Sequence, residues 1–422
     1  MTEPTVLEAF QQLWSPAAKA DPYPSYAVLR KHASVLPIGP RRAIVTGHVE
    51  VREILLNANT FPVCDNNWAD REWPSWRKHP AVISLYNALM HQNPPDNQPA
   101  RRLLVRYFHP HNIAGLRPMF REHAVHHVTS LLAQVSRGDP VDAVDTLLWL
   151  PTAVICAVFG FPRTDMPKIR RWTGSIGRAN EFNPPGHGLA DADADSSAFR
   201  EYLRPLVRTR KGTNGGDFVT FMASAWPDDE DSLLDTLIFV ASAGTETATA
   251  MLGSGLEILS ARPELMSWLR GHPRYGVAFT RELIRYHPPA QMITRWTAAP
   301  TEIGGVRLPR RTAVMLSLGA AGRDPQHHPG PDRFDPMRFD SAAAQRQVLL
   351  SFGLGSHRCP GAGLAEAVAE ALFTTLTQQC DRVALAEVPQ FLPRSSMRSF
   401  ARLPVQVVRS GRDTELGDDS HA

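Results

Sequence analysis

The chain has 422 residues, with 45 Lys and Arg against 42 Asp and Glu and 43% hydrophobic residues. A net charge of +3 excludes the concentrated basic surface of a nucleic-acid-binding protein, and no run of about 18 apolar residues suggests a transmembrane helix. The start, Met-Thr-Glu-Pro-Thr-Val-Leu-Glu, lacks the basic-then-apolar layout of a secretion signal. Cys64, Cys156, Cys359 and Cys380 are scattered without a C-x-x-C spacing, which fits a reducing cytoplasm better than a disulfide framework.

Thirty-six prolines punctuate many short helical patterns. Residues 35–46 read as a hairpin of two short strands. Helical periodicity follows at 48–57, 99–108, 112–136, 141–160, 164–179, 196–210, 217–225, 229–260, 263–270 and 275–287. Strand-like pieces return at 301–315 and 383–408. The turn-rich stretch 183–197 is expected to be mobile, and the polar tail 411–422 disordered. Neither marks a domain boundary, so residues 1–410 are expected to form one mainly α domain with a small β portion.

Chemistry concentrates in Phe352-Gly-Leu-Gly-Ser-His-Arg-Cys-Pro-Gly361. Its three glycines allow left-handed or tight backbone close to a large flat object. A helical stretch opens after Gly361, with its positive end towards the Cys359 sulfur, which favours the thiolate. Phe352 offers a ring to an aromatic plane, and His357 and Arg358 offer donors to carboxylates. An iron porphyrin suits this set. A buried structural cysteine in a glycine-rich turn is the competing reading. A dinucleotide site is weaker, because neither glycine pair has a third glycine or a preceding strand.

The run closely resembles the haem-binding signature of the cytochrome P-450 family, Phe-Gly-x-Gly-x-x-x-Cys-x-Gly, and Phe352, Gly353, Gly355, Cys359 and Gly361 fill every fixed position. The resemblance makes Cys359 the axial ligand of a haem b iron. It implies the single-domain cytochrome P-450 fold and extends from the hairpin near residue 35 to Leu403-Pro404-Val405.

The longest helical pattern, 229–260, carries Ala243-Gly-Thr-Glu-Thr247 at its centre. Glycine there costs about 1 kcal/mol relative to alanine, and Thr247 can bond back to the carbonyl of Ala243 and bend the helix. A helix whose polar side meets solvent would read the same way. The family carries Ala/Gly-Gly-x-Asp/Glu-Thr in the helix crossing the distal face of its haem. By that resemblance Ala243 lies against the haem, Thr247 hydrogen-bonds dioxygen and Glu246 helps relay protons. Arg295, in a segment similar to the family's, is expected to bind one propionate. In place of the family's His-x-x-x-Arg, this chain has Asn97-Gln-Pro-Ala-Arg101, so Arg101 is retained and the histidine contact becomes neutral.

Glu282-Leu-Ile-Arg285 resembles the family's Glu-x-x-Arg network, with Arg333 or Arg338 as its third member. His123, His126 and His127 show i, i+4 spacing, but a surface helix explains them better than a metal site. Arg101, Arg102 and Arg106 form either a solvated helix face or a docking patch for an acidic electron carrier. Pro360 removes the backbone N–H after the cysteine, so the thiolate is expected to donate more strongly.

Trp68, Trp73 and Trp76 lie in the 60–90 loop, which by family correspondence borders the substrate pocket with Phe239 to Ala243, Gln291 to Ile293 and Ser395 to Met397. Tryptophans can simply anchor such a loop; the alternative expectation is that one faces an aromatic or polycyclic substrate. The reading is a cytoplasmic monooxygenase that uses O2 to hydroxylate a small specialised metabolite. Its electrons would come from a ferredoxin-type partner in trans, with no nucleic acid or membrane involved. Oxidative coupling or desaturation is the alternative outcome, and a haem-binding recruitment protein the alternative of another class.

Overall fold

In the computed structural model, which describes residues 4–135, 140–181, 189–227 and 229–409, the expected hairpin forms from strands Val35–Gly39 and Arg42–Val45. Val35 faces Val45 and Leu36 faces Ile44, so apolar side chains meet where the strands pair. Arg42–Val45 runs parallel to Ala313–Ser317, which pairs antiparallel with Met292–Trp296. That register sets Arg295 opposite Val314 in a buried strand of the four-stranded sheet.

Helices make up the rest of the core. The helix Glu230–Ala261 spans 32 residues, roughly 48 Å, and the Asp229 side chain accepts the Ser232 N–H at its start. Leu233 to Ile238 and Ala250 to Leu256 are buried along it. Small residues let neighbours approach: a Cβ on Gly244 would lie 2.7 Å from Ile155, and one on Gly255 2.0 Å from Phe373. Phe373 belongs to Ala362–Gln379, the helix expected after the cysteine. Gly244 is therefore explained by helix packing.

Several expectations need correction. Residues 141–149 are not helical: Val141–Asp142 pairs with Pro404–Arg409, two short 3-10 turns follow, and the helix begins only at Leu150. Asp142 drives this, accepting the N–H groups of Val144 and Leu403. The stretch expected to be mobile is helical from Leu189 onward, within Leu189–Arg210. Its Ala-Asp alternation puts Ala192, Asp195, Ser196 and Phe199 on a buried face, where Asp195 pairs with Arg171 and accepts from the Ser175 hydroxyl. The start of that stretch and the tail 411–422 lie outside the described residues.

Three N-terminal helices, Val6–Gln12, Pro16–Ala20 and Tyr23–His32, went unanticipated although Thr5 and Ser15 cap the first two. The 60–90 loop contains helices Asn66–Glu72 and Pro80–Tyr86. Among the described residues no helix is long and apolar enough to cross a membrane.

Candidate functional site

The Cys359 loop is closed by its own backbone. Cys359 N–H donates to the Phe352 carbonyl at 2.7 Å, and Gly353 turns the chain at φ 68° and ψ 179°, a conformation open to glycine. A Cβ on Gly355 (φ 63°) would lie 2.9 Å from the Leu55 carbonyl, so the loop sits tightly on helix His48–Leu56. Phe352 is half-buried. The Gly361 N–H donates to the Cys359 thiol group. Cys359 is exposed, yet desolvation by the atoms packed around it raises the pKa of its thiol, while the Gly361 N–H and the charges of Arg101 and Arg358 act in the opposite sense.

Around this loop Arg295, Arg101, His357 and His91 converge, and no carboxylate among the described residues bonds to Arg295. Burial lowers Arg295 to about 10, and its one side-chain hydrogen bond among the described residues goes to the neighbouring Thr294 carbonyl. His357 is pushed down to about 3, first by burial and then by the charges of Arg295, Arg101 and His91. Its Nε2 is buried with no partner. Arg101 donates to the Arg358 carbonyl at 2.7 Å, which anchors it on the cysteine loop. Asn97, fully buried, reaches the Ser356 carbonyl at 3.5 Å and leaves its Oδ1 unpartnered.

A buried guanidinium without a counter-ion is costly. Together with the unpartnered imidazole nitrogen and a thiol under an N–H donor, it fits a flat dianion carrying a thiophilic metal at its centre. His91 was missed by sequence reasoning. It stacks on Tyr86 at 4.2 Å, shares Nδ1 with the Cys64 carbonyl at 2.7 Å, and stands two residues before the Asn93-Pro-Pro stretch.

The middle of the long helix differs from its flanks. Phe239, Val240, Ala243 and Thr247 form a half-buried stripe at helical spacing between fully buried turns. Thr247 Oγ1 donates to the Ala243 carbonyl at 2.7 Å, the bond expected from the sequence. Glu246 pairs with Arg394 at 2.6 Å, a partner sequence reasoning missed although it abuts the Ser395–Met397 segment. A Cβ on Gly177 would come within 3.0 Å of Glu246, so the acid is enclosed by helix Met166–Arg178.

Arg285 makes two bonds to Glu282, at 2.6 and 2.7 Å, and Arg338 stands 3.4 Å from the same carboxylate. Arg338 is thus the third member; Arg333 contributes only its carbonyl. Each loop tryptophan packs on protein: Trp68 against Trp296, Trp73 against His79, Trp76 against Tyr86. Trp76 is buried and donates to Asp70, an anchoring role. His127 is buried and not on a surface face, and His126 contacts Arg163.

A thiol in a glycine-rich loop, a buried unpaired guanidinium beside it and a long continuous helix carrying Glu246 and Thr247 on a half-buried stripe match a haem-thiolate protein. A model of the cytochrome P-450 family matches residues 272–406. Erythromycin C-12 hydroxylase of Saccharopolyspora erythraea is 31% identical over 325 residues, 75% of this chain and 77% of the relative. The 6-deoxyerythronolide B hydroxylase of the same organism is 28% identical over 412 residues, covering 94% and 98%. Among solved structures, CalO2 superposes with a TM-score of 0.84 at 25% identity, covering 94% of this chain and 98% of that one. CxnD, an enzyme for C–S bond formation in chuangxinmycin biosynthesis, gives 0.80 at 27%, covering 92% and 95%. The chain belongs to the cytochrome P-450 family. It is a cytochrome P-450 oxidoreductase, a monooxygenase with a haem-thiolate cofactor.

Proposed function

We propose that this enzyme holds haem b through Cys359 and hydroxylates a C–H bond of a small specialised metabolite, aromatic or polycyclic in class. The observation that carries the reading is the pairing of the buried Arg295 guanidinium, without a carboxylate partner among the described residues, beside the Cys359 loop with the Glu246–Thr247 pair on the half-buried stripe. The haem, when bound, supplies dioxygen activation, and the thiolate of Cys359 donates electron density to it.

Arg295, His357 and Arg101 would hold the propionates, the two guanidinium charges and the neutral imidazole of His357 taking the place of water around the carboxylates. Phe352 and Ala243 would lie against the ring, and Gly361 would give the sulfur its backbone donor. The Thr247 hydroxyl has its proton engaged at Ala243, so it presents lone pairs and accepts a hydrogen bond from a protonated oxygen. Glu246 would relay protons towards the same place, its carboxylate anchored by Arg394.

The hydroxylase relatives support a specialised-metabolite substrate. The aromatic class draws on the rings of the 60–90 loop, where Trp68 and Trp73 are only half-buried. Electrons come from a ferredoxin-type partner in the cytoplasm, docking at the exposed Arg358 of the cysteine loop and the exposed Arg102 and Arg106 of the helix that Arg101 anchors to it. The C–S bond formation named for CxnD favours oxidative coupling as the second reading. A panel of aromatic, polycyclic and macrolide compounds tests the proposal, by haem spectral shift and by turnover with ferredoxin, its reductase and O2. Products that gain one oxygen support hydroxylation. Coupled products without added oxygen support the second reading, and aromatic compounds that never bind refute the substrate class.

A further inference from the structure

Away from the cysteine loop, three histidines meet at the start of helix His48–Leu56. His48 and His327 stack with centroids 3.4 Å apart and an 11° interplanar angle, and His328 stands nearly perpendicular to both. One ring nitrogen from each lies within 4.8 Å of the others. None of the three rings hydrogen-bonds to another described residue.

The backbone that presents them is organised by one residue. Asp324 Oδ2 accepts the His48 N–H at 2.8 Å, and Oδ1 accepts the Gln326 N–H at 3.0 Å. The Asp324 carbonyl accepts the N–H groups of His327 at 3.1 Å and His328 at 2.8 Å. The two segments, about 280 residues apart in sequence, are therefore held in fixed register with the imidazoles facing one another.

We propose that His48, His327 and His328 form a site for a borderline divalent transition metal of the Zn2+ class, separate from the haem. Three imidazoles with an open fourth position are a known zinc donor set, and metal-bound nitrogens at about 2.0–2.1 Å sit roughly 3.3 Å apart. To reach that from the present 4.8 Å grouping, the stacked rings of His48 and His327 must swing apart so that their lone pairs converge. Oxygen-seeking Ca2+ and Mg2+ find no suitable ligands here.

His48 is buried, His328 half-buried and His327 exposed, so the cluster opens to solvent on one side. The cations facing His328, Arg285 and Arg338, are answered by Glu282. Arg52 faces His48, with Asp324 as the opposing anion. The bound ion would clamp the start of helix His48–Leu56 to the 324–328 turn. Because the other end of that helix bears on Gly355, the clamp braces the loop that carries Cys359.

The test uses tag-free, haem-loaded, chelator-treated full-length protein titrated calorimetrically with ZnCl2, with thermal unfolding in parallel. One equivalent should bind and raise the melting temperature, while MgCl2 and CaCl2 do neither. His327→Ala and His328→Ala should each weaken binding by roughly tenfold or more and keep the haem spectrum. Exposed His327 can also be replaced by Gln if either alanine variant folds poorly. Absence of Zn2+ binding would overturn the proposal. So would equal binding in the variants, which would put the metal elsewhere, as on His123 and His126.

Discussion

Arg394 Nη2 lies 2.6 Å from Glu246 Oε2 and ties the strand-rich C-terminal region to the middle of the long helix. Arg394 is only 4% exposed, and its Nε is buried without a partner. On the proposed role of Glu246 in proton relay, its ion pair with a buried cation holds the carboxylate in one place. Glu246→Gln is expected to keep the haem spectrum and lower product formation about 100-fold or more, the scale of a lost proton-transfer group. Arg394→Met should lower the ratio of product to reductant consumed, with peroxide as the missing product, and Arg394→Lys should restore part of it. Unchanged coupling in Glu246→Gln would remove the acid from the mechanism.

Arg295 gives a prediction with opposite signs in two states. Its buried guanidinium has no carboxylate among the described residues, so without haem it is an uncompensated charge. Arg295→Met should therefore raise the melting temperature of haem-free protein and at the same time speed haem loss from the loaded form. If haem transfer to an acceptor protein is no faster, Arg295 does not hold a propionate.

Sulfur donation is tested at Pro360. The thiol receives the Gly361 N–H, and Pro360 has no N–H to add. Pro360→Ala restores that donor, which should withdraw density from sulfur and raise the haem reduction potential. Redox titration showing an unchanged or lower potential would reject the argument.

Glu282 is fully buried between Arg285, Arg338 and the Asp335 N–H. Glu282→Gln leaves buried Arg285 and half-buried Arg338 uncompensated, a loss of about 3–5 kcal/mol by analogy with broken buried pairs. Chemical denaturation of the variant should show that drop, with poor haem retention. A variant of native stability would mean the network is dispensable.

Much of the site could be read in the sequence because its chemistry is local. The cysteine loop is ten consecutive residues, and the Thr247–Ala243 bond is one helical turn. The partners brought by tertiary contact were not legible: Arg394 reaches Glu246 across 148 residues, and His91 meets the Arg295–His357 group only when the 60–90 loop folds over. The fold followed the same rule. Long periodic helices were evident, whereas Val141–Asp142 became a strand because Pro404–Arg409 pairs with it. The Ala-Asp run after residue 189 looked low in complexity because its burial depends on partners such as Arg171 and Ser175. The tryptophans were correctly open to an anchoring role, which Asp70 and Tyr86 give to Trp76.

The thiolate role of Cys359 is tested most directly by the absorption spectrum of the reduced carbonyl complex. The native enzyme should show the red-shifted Soret band of thiolate-ligated haem. Cys359→His, which offers a nitrogen at the same position, should retain haem and lose that band. A red-shifted band that persists in Cys359→His would contradict the assignment.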